Sequence, residues 1–344
     1  MSPERKETEI YMQDVHFGQA ERERRLASPR FAAGEDVQGQ LAETGHVYIV
    51  ADRVGFNIHT FHFWIRRNDP GAEEFWKTLG HRHTVEAVIY ILSGRGYSII
   101  DGLRYDWEPG DFINVPVFAW HRHIVTSDEP MYYLAATTNV LQRATGMALY
   151  EDERFPELWV YAQKGQNAQE TLVPGGAEAT AGEAGVGSPG RAGKLFPHLY
   201  QQELDFAQDE ERRRRAGRVL VKHSDLQFES TPMGQLAYVV DPRLGFHNKA
   251  LCTQVLSLPS AKRSGAHRHL YEEVNHVLSG HGHCMIEGER QDWKAGDTLY
   301  VPTYFWHQHF NTGDDEARIL MHNSRPAMEN LGLAFTEQGE PTDY

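Results

Sequence analysis

GHRHTVEAVIYILSGRGYSIIDGLRYDWEPGDFINVPVFAWHRH, residues 80–123, decides the fold of this chain. It returns as AHRHLYEEVNHVLSGHGHCMIEGERQDWKAGDTLYVPTYFWHQH, residues 266–309, with each position displaced by the same 186 residues. Gly94 meets Gly280, Trp107 meets Trp293, Gly110 meets Gly296, Pro116 meets Pro302 and Trp120 meets Trp306, without an insertion. A repeat this strong, present only twice, marks a duplicated domain and not a solenoid. Runs rich in β-branched and aromatic residues, broken by turns at Gly94 and at Gly110–Asp111, make each copy a β domain.

Each copy carries two histidines one residue apart and a third 38 residues after the second. Alternate residues of a strand face the same side. His81 and His83 therefore point together while Arg82 points away, and His121 and His123 share a face that Arg122 does not. Three imidazoles converging inside a small barrel form a metal site. One such pair alone would fit buried, hydrogen-bonded histidines equally well, but two sets in identical register favour metal.

These residues resemble the cupin pattern: HxH, a Glu a few residues on, a Gly, a PGD-like turn and a P-x4-H segment. By that resemblance, which covers most of the chain outside an N-terminal arm and a linker, the protein is identified as a bicupin. The resemblance implies an all-β fold of two tandem cupin (double-stranded β-helix, jelly-roll) barrels, each with a metal held by three His and often one Glu. The second copy then supplies His267, His269, Glu273 and His307. The first supplies His81, His83 and His121, with Ala87 in the place of the carboxylate. Glu86 is matched by Glu272, the neighbour of the ligand position, so register excludes Glu86 as a ligand.

The first set, HRHT followed by Ala87, resembles gentisate and related ring-cleaving dioxygenases. That resemblance implies Fe(II) in the first cupin, acting with dioxygen on an aromatic ring that bears adjacent hydroxyl and carboxylate groups. Manganese, nickel and zinc are the alternatives, at one metal per cupin domain. The chain departs from this subgroup by keeping a complete ligand set in the second copy, and by Ile124-Val125 after His123, where those enzymes tend to have Gly-Asn. A metal on three neutral histidines keeps more open positions and more positive charge than one that also binds Glu273. Chemistry is therefore expected in the first barrel, with His123 as the candidate acid/base or substrate-bonding residue. His309 occupies the same place in the second copy. Two other functions compete. One is a manganese bicupin acting on a small dicarboxylate, against which Ala87 stands. The other is a non-enzymatic metal-binding module.

Around the repeat, residues 1–43 read as a charged arm with one short helix, 44–160 as the first cupin domain, 161–196 as a Gly/Ala/Glu/Pro-rich linker and 197–344 as a helix plus the second cupin domain. Arg53-Val54-Gly55-Phe56 matches Arg243-Leu244-Gly245-Phe246. The first copy then holds four extra residues before its ligands, around positions 70–76, an inserted loop placed to shape a pocket. In the helix at 200–217, Asp209, Glu210 and Glu211 stand four residues before Arg213, Arg214 and Arg215, which suggests a solvated face of i,i+4 pairs and not a phosphate site. A net charge of −14 argues against nucleic-acid and anionic-membrane partners. Two cysteines and no leader-like segment fit a cytoplasmic protein. A homo-oligomer, dimer or tetramer, is the expected assembly.

Overall fold

A computed structural model describes residues 9–72, 75–159 and 199–344. The expected linker at 161–196 and residues 73 and 74 of the inserted loop lie outside the described residues. Two β-barrels account for most of the rest, each made of a larger sheet facing a five-stranded one, and every strand pair is antiparallel. In the first barrel, Phe112–Val115, Ala87–Ser93, Met131–Thr137, His62–Asn68 and His46–Val50 form most of the larger sheet. The five-stranded sheet runs in the order Tyr150–Asp152, His81–His83, His121–Val125, Gly96–Ile100 and Leu103–Trp107. The second barrel repeats this order with Thr336–Gln338, His267–His269, His307–Asn311, His281–Ile286 and Glu289–Lys294. Both His-x-His strands thus sit beside the strand carrying the third histidine, with His81 opposite His121 and His267 opposite His307.

The turn glycines are required by geometry. Gly94 and Gly280 adopt φ of 80° and 86°, and a Cβ on Gly94 would lie 2.8 Å from the Met131 Cα. Only glycine fits a left-handed turn pressed against a neighbouring strand.

Strand alternation splits the apolar residues into three clusters. Trp107, Ile113, Tyr133 and Ala135 fill the first barrel, and Leu256, Ile286, Trp293 and Ile319 fill the second. Phe63, Ile65, Leu134, Val255, Val274 and Leu320 join in a core between the two larger sheets. Buried carboxylates stitch this interface reciprocally. Glu86, 2% exposed, accepts the backbone N–H groups of Lys249, Ala250 and Leu251 at 2.5, 2.9 and 3.3 Å. Glu272 accepts those of His59 and Thr60 at 2.8 and 2.9 Å, and the Thr60 hydroxyl at 2.5 Å. Each acid replaces water for a loop of the opposite barrel, which an uncapped buried N–H could not do without.

The sheet edges are exchanged in the same reciprocal manner. Phe31–Ala32, from the arm, pairs with Thr298 and Leu299 of the second barrel, and Leu220–Val221 pairs with Phe112 and Ile113 of the first. Asp297 Oδ1 accepts the Gly34 N–H at 2.8 Å, and Asp111 Oδ1 accepts the His223 N–H at 3.0 Å. The arm holds more order than one short helix. Helix Glu9–Ala27 is followed by helix Gly34–Thr44, whose Val37 and Leu41 enter the shared core. Helix Leu199–Ala216 also departs from the solvated face expected of it. Its acids pair mainly with arginines three residues on, and Arg214 is largely buried, with a 2.7 Å bond to Asp101 of the first barrel.

Candidate metal centres

The histidines converge as strand parity requires. In the first barrel one ring nitrogen from each of His81, His83 and His121 falls in a group whose members all lie within 4.8 Å of one another. His267, His269 and His307 meet the same limit in the second barrel, joined by a Glu273 oxygen. The two triads superimpose in their spacings. The ring centroids of His81 and His121 are 4.2 Å apart and those of His267 and His307 are 4.0 Å apart.

The donor set fits a metal ion. Nδ1 of His83, His121, His269 and His307 each faces a backbone carbonyl, of Val85, Ala119, Tyr271 and Phe305, at 2.8–3.0 Å. A ring that donates from Nδ1 leaves the Nε2 lone pair for a ligand. Nε2 of His269 and of His307 are buried without a hydrogen-bond partner among the described residues. Burial lowers the pKa of His81, His121 and His267 well below the ordinary 6.5, with neighbouring imidazoles adding to the effect, and brings His83 to about 4. They are held neutral, the form that ligates. Burial alone would raise Glu273, but its contacts with His269 and His307, both at 3.6 Å, outweigh that and keep it ionised. Asn275 steadies it with a 3.0 Å bond. At the matching position Ala87 offers no donor, and Glu86 turns to the neighbouring barrel.

The surroundings differ as much as the ligands. All four groups of the second site are buried, and Tyr271 stacks on His269 at 3.7 Å and 6°. In the first site His81 and His83 keep part of their surface in solvent. Trp76, from the inserted loop, lies 4.6 Å from His81 and donates its indole N–H to Asp152, while Arg122 holds the Trp76 carbonyl. Tyr150, 58% exposed, stands over the same triad, with its ring 5.4 Å from His81 and 6.5 Å from His83. Trp76 lies in the inserted loop expected to shape a pocket, without having been singled out there, and Tyr150 was not expected from sequence. Tyr150 had a signal, because the 186-residue offset continues past His123 and aligns Glu151 with Glu337, which pair with Arg82 and Arg268, and Tyr150 with Thr336.

His123 and His309 are buried beside the third histidine of each cluster. In the first barrel His123 Nδ1 lies 2.7 Å from Ser98 Oγ, which also accepts the Trp107 indole N–H at 3.1 Å. These are the two side-chain partners of Ser98 among the described residues. Ser98 thus holds the His123 ring by Nδ1 and leaves Nε2 as the other polar edge of the ring. The second barrel has Cys284 in the place of Ser98, and both Trp293 Nε1 and His309 Nδ1 lack partners among the described residues. Of the remaining histidines, His62 is fully buried against Asp52 at 2.7 Å, and His322 is buried against Thr253 at 2.9 Å, both apart from the metal clusters.

The family model for the cupin domain matches twice, over residues 67–137 and 254–323, one match on each barrel. The chain is a bicupin. Over 259 residues it is 26% identical to gentisate 1,2-dioxygenase 1 of Aquipseudomonas alcaligenes, covering 74% of this chain and 67% of that one. Over 292 residues it is 25% identical to the 1-hydroxy-2-naphthoate 1,2-dioxygenase of Nocardioides sp. strain KP7, covering 83% and 68%. Salicylate 1,2-dioxygenase from Pseudaminobacter salicylatoxidans has the same fold, with a TM-score of 0.60 at 16% identity over 91% of this chain and 90% of that one. With two clusters able to hold metal and dioxygenases as sequence relatives, the bicupin is an oxidoreductase, a metal-dependent ring-cleaving dioxygenase.

Proposed function

We propose that the bicupin uses Fe(II), held by His81, His83 and His121, to cleave an aromatic acid whose ring bears a hydroxyl beside the carboxylate. The observation that carries this reading is the contrast between a three-histidine cluster open to solvent and a four-ligand cluster that is buried. A substrate has to reach its metal, and the first cluster is the one whose histidines keep some surface in solvent. The relatives support the substrate class, since gentisate, 1-hydroxy-2-naphthoate and salicylate all place a hydroxyl next to a carboxylate.

When bound, the iron would supply a Lewis acid that accepts two substrate oxygens and activates dioxygen. The chain's own residues do the rest. Ala87 leaves room where the second barrel has a carboxylate. Trp76 and Tyr150 flank His81 and limit how a flat ring can enter. His123, held at Nδ1 by Ser98, offers a hydrogen bond at the site and is the residue assigned to the acid/base role. His267, His269, Glu273 and His307 are the ligand set proposed for the second metal, which is structural. The complete His3Glu set favours a second reading, a manganese enzyme of small dicarboxylates working in the second barrel.

The same proposal extends to assembly and location. Met147 and Leu149 in the first half and their counterparts Leu333 and Phe335 in the second are all exposed, and paired apolar patches of this kind are buried in oligomers. Free, buried Cys252 and Cys284 suit a reducing cytoplasm. Among the described residues no helix is long and apolar enough to cross a membrane.

The test is oxygen uptake by anaerobically iron-loaded protein with gentisate, salicylate and 1-hydroxy-2-naphthoate. Turnover lost in His121→Ala and kept, per first-site iron, in Glu273→Ala supports the reading. The reverse pattern moves the active site to the second barrel.

A further inference from the structure

The interior of the first barrel holds a cation that the metal cluster does not use. In strand His62–Asn68, Phe63 and Ile65 enter the core between the barrels, so Trp64, Arg66 and Asn68 face the other way, into the first barrel. The neighbours of Arg66 on that face confirm the direction. Trp64 packs on the barrel's own interior cluster with its ring 5.5 Å from Tyr133. Asn68 lines a small cavity of about 10 Å³ together with His123. Arg66 stands between them, directly opposite Tyr133 in the ladder, and the Tyr133 ring is 6.4 Å from His123. Its charge also reaches the metal cluster. Burial, His83 and His123 do most to lower the basicity of His81, and Arg66 adds to them.

Arg66 is only partly exposed and has no carboxylate partner among the described residues, unlike Arg67, paired with Asp69, and Arg82, paired with Glu151. The fold does not call for a cation at this place. The equivalent ladder pair of the second barrel is Leu256 opposite Ile319, both within its apolar core. A partly buried guanidinium with no counter-ion among the described residues gains from an anion that joins it, and its planar fork matches a carboxylate.

We infer that Arg66 holds the carboxylate of the substrate, beside His123, in the first barrel. The inference rests on the proposed ring-cleaving function and names the residue that selects its aromatic acids over uncharged phenols. It also sets a direction for the bound ring: the carboxylate on the side of Tyr133 and Asn68, with the hydroxyl next to it toward His81 and Tyr150.

The experiment is calorimetric titration of the anaerobic iron-loaded protein with benzoate and, as the uncharged control, phenol, in the wild type, Arg66→Met and Arg66→Lys. Wild type should prefer benzoate. Arg66→Met should weaken benzoate at least 30-fold and leave phenol within twofold, and Arg66→Lys should fall between. Metal content should not change, and ligand-free Arg66→Met should unfold at a higher temperature than wild type. A residue with a merely structural role would lower that temperature. Absence of benzoate binding in the wild type, benzoate affinity in Arg66→Met within twofold of wild type, or loss of binding together with lower stability overturns the inference. Benzoate binding that depends on Arg66, in a protein that consumes no oxygen with any of the three hydroxylated acids, leaves Arg66 as an anion site and removes the ring-cleaving function instead.

Discussion

Replacing Glu86 by glutamine separates its structural role from metal binding. The carboxylate is fully withdrawn from water, and burial raises its pKa from the ordinary 4.5 to about 7 even though three backbone N–H groups favour the ionised form. Folding therefore takes up a proton across this range. The sign follows: the contribution is complete below about pH 4.5 and is lost as pH rises through about 7. The full effect is worth about 3 kcal/mol, and about 2 kcal/mol of it falls between pH 5.5 and 8.5. Glutamine keeps one oxygen for the N–H groups and cannot ionise. Asn248 Oδ1 already shares the N–H groups of Ala250 and Leu251, so the substitution itself should cost only about 1 kcal/mol at pH 5.5. Urea unfolding of wild type and Glu86→Gln at both pH values should show the variant less stable at 5.5 and equal or more stable at 8.5. Metal in the first barrel should be unchanged throughout. A stability difference that moves by less than about 0.5 kcal/mol between the two pH values would refute a buried titrating acid. Loss of first-site metal would refute the register that turns Glu86 away from the triad.

Other expectations follow from the two sites and their supports. Ser98→Ala should cut kcat/KM by about 10- to 100-fold by releasing His123, with first-site iron retained on elemental analysis, while Cys284→Ser should leave turnover alone. His83→Ala should empty the first site only and His269→Ala the second only, and wild type reconstituted anaerobically should exceed one metal per chain. His276 and His322, buried and lowered to about 4 and about 3, are neutral when folded, so their contribution is lost as pH falls from about 6.5 toward 4. Replacing His322 with Leu should flatten the acid limb of a stability profile by roughly 1–3 kcal/mol.

The barrels and their histidine clusters were legible because they depend on local periodicity. Strand parity aligned His81 with His83, and the constant offset separated Glu273 from its neighbour Glu272. What escaped depends on register between distant strands. The interior direction of Arg66 is visible only once its ladder with Tyr133 is known, and Ser98 becomes the support of His123 only when Gly96–Ile100 lies beside His121–Val125. Phe31–Ala32 and Leu220–Val221 are two residues each, too short to show any alternation. Arg214 looked solvated because its helical partners were all in view while Asp101 was not.

The exchanged edges bear on how the chain is made. The first barrel leaves the ribosome with the outer edge of Phe112 and Ile113 unpaired until Leu220 and Val221 emerge, more than 100 residues later. Over that interval an open strand edge is exposed, a template for pairing with other chains. The arm has the opposite problem, since Phe31 and Ala32 are synthesised early and wait for Thr298 and Leu299. Neither half is therefore a finished product alone. A gene cut at the linker should yield two sticky fragments, and co-expressing the pair should recover soluble protein that neither fragment gives by itself.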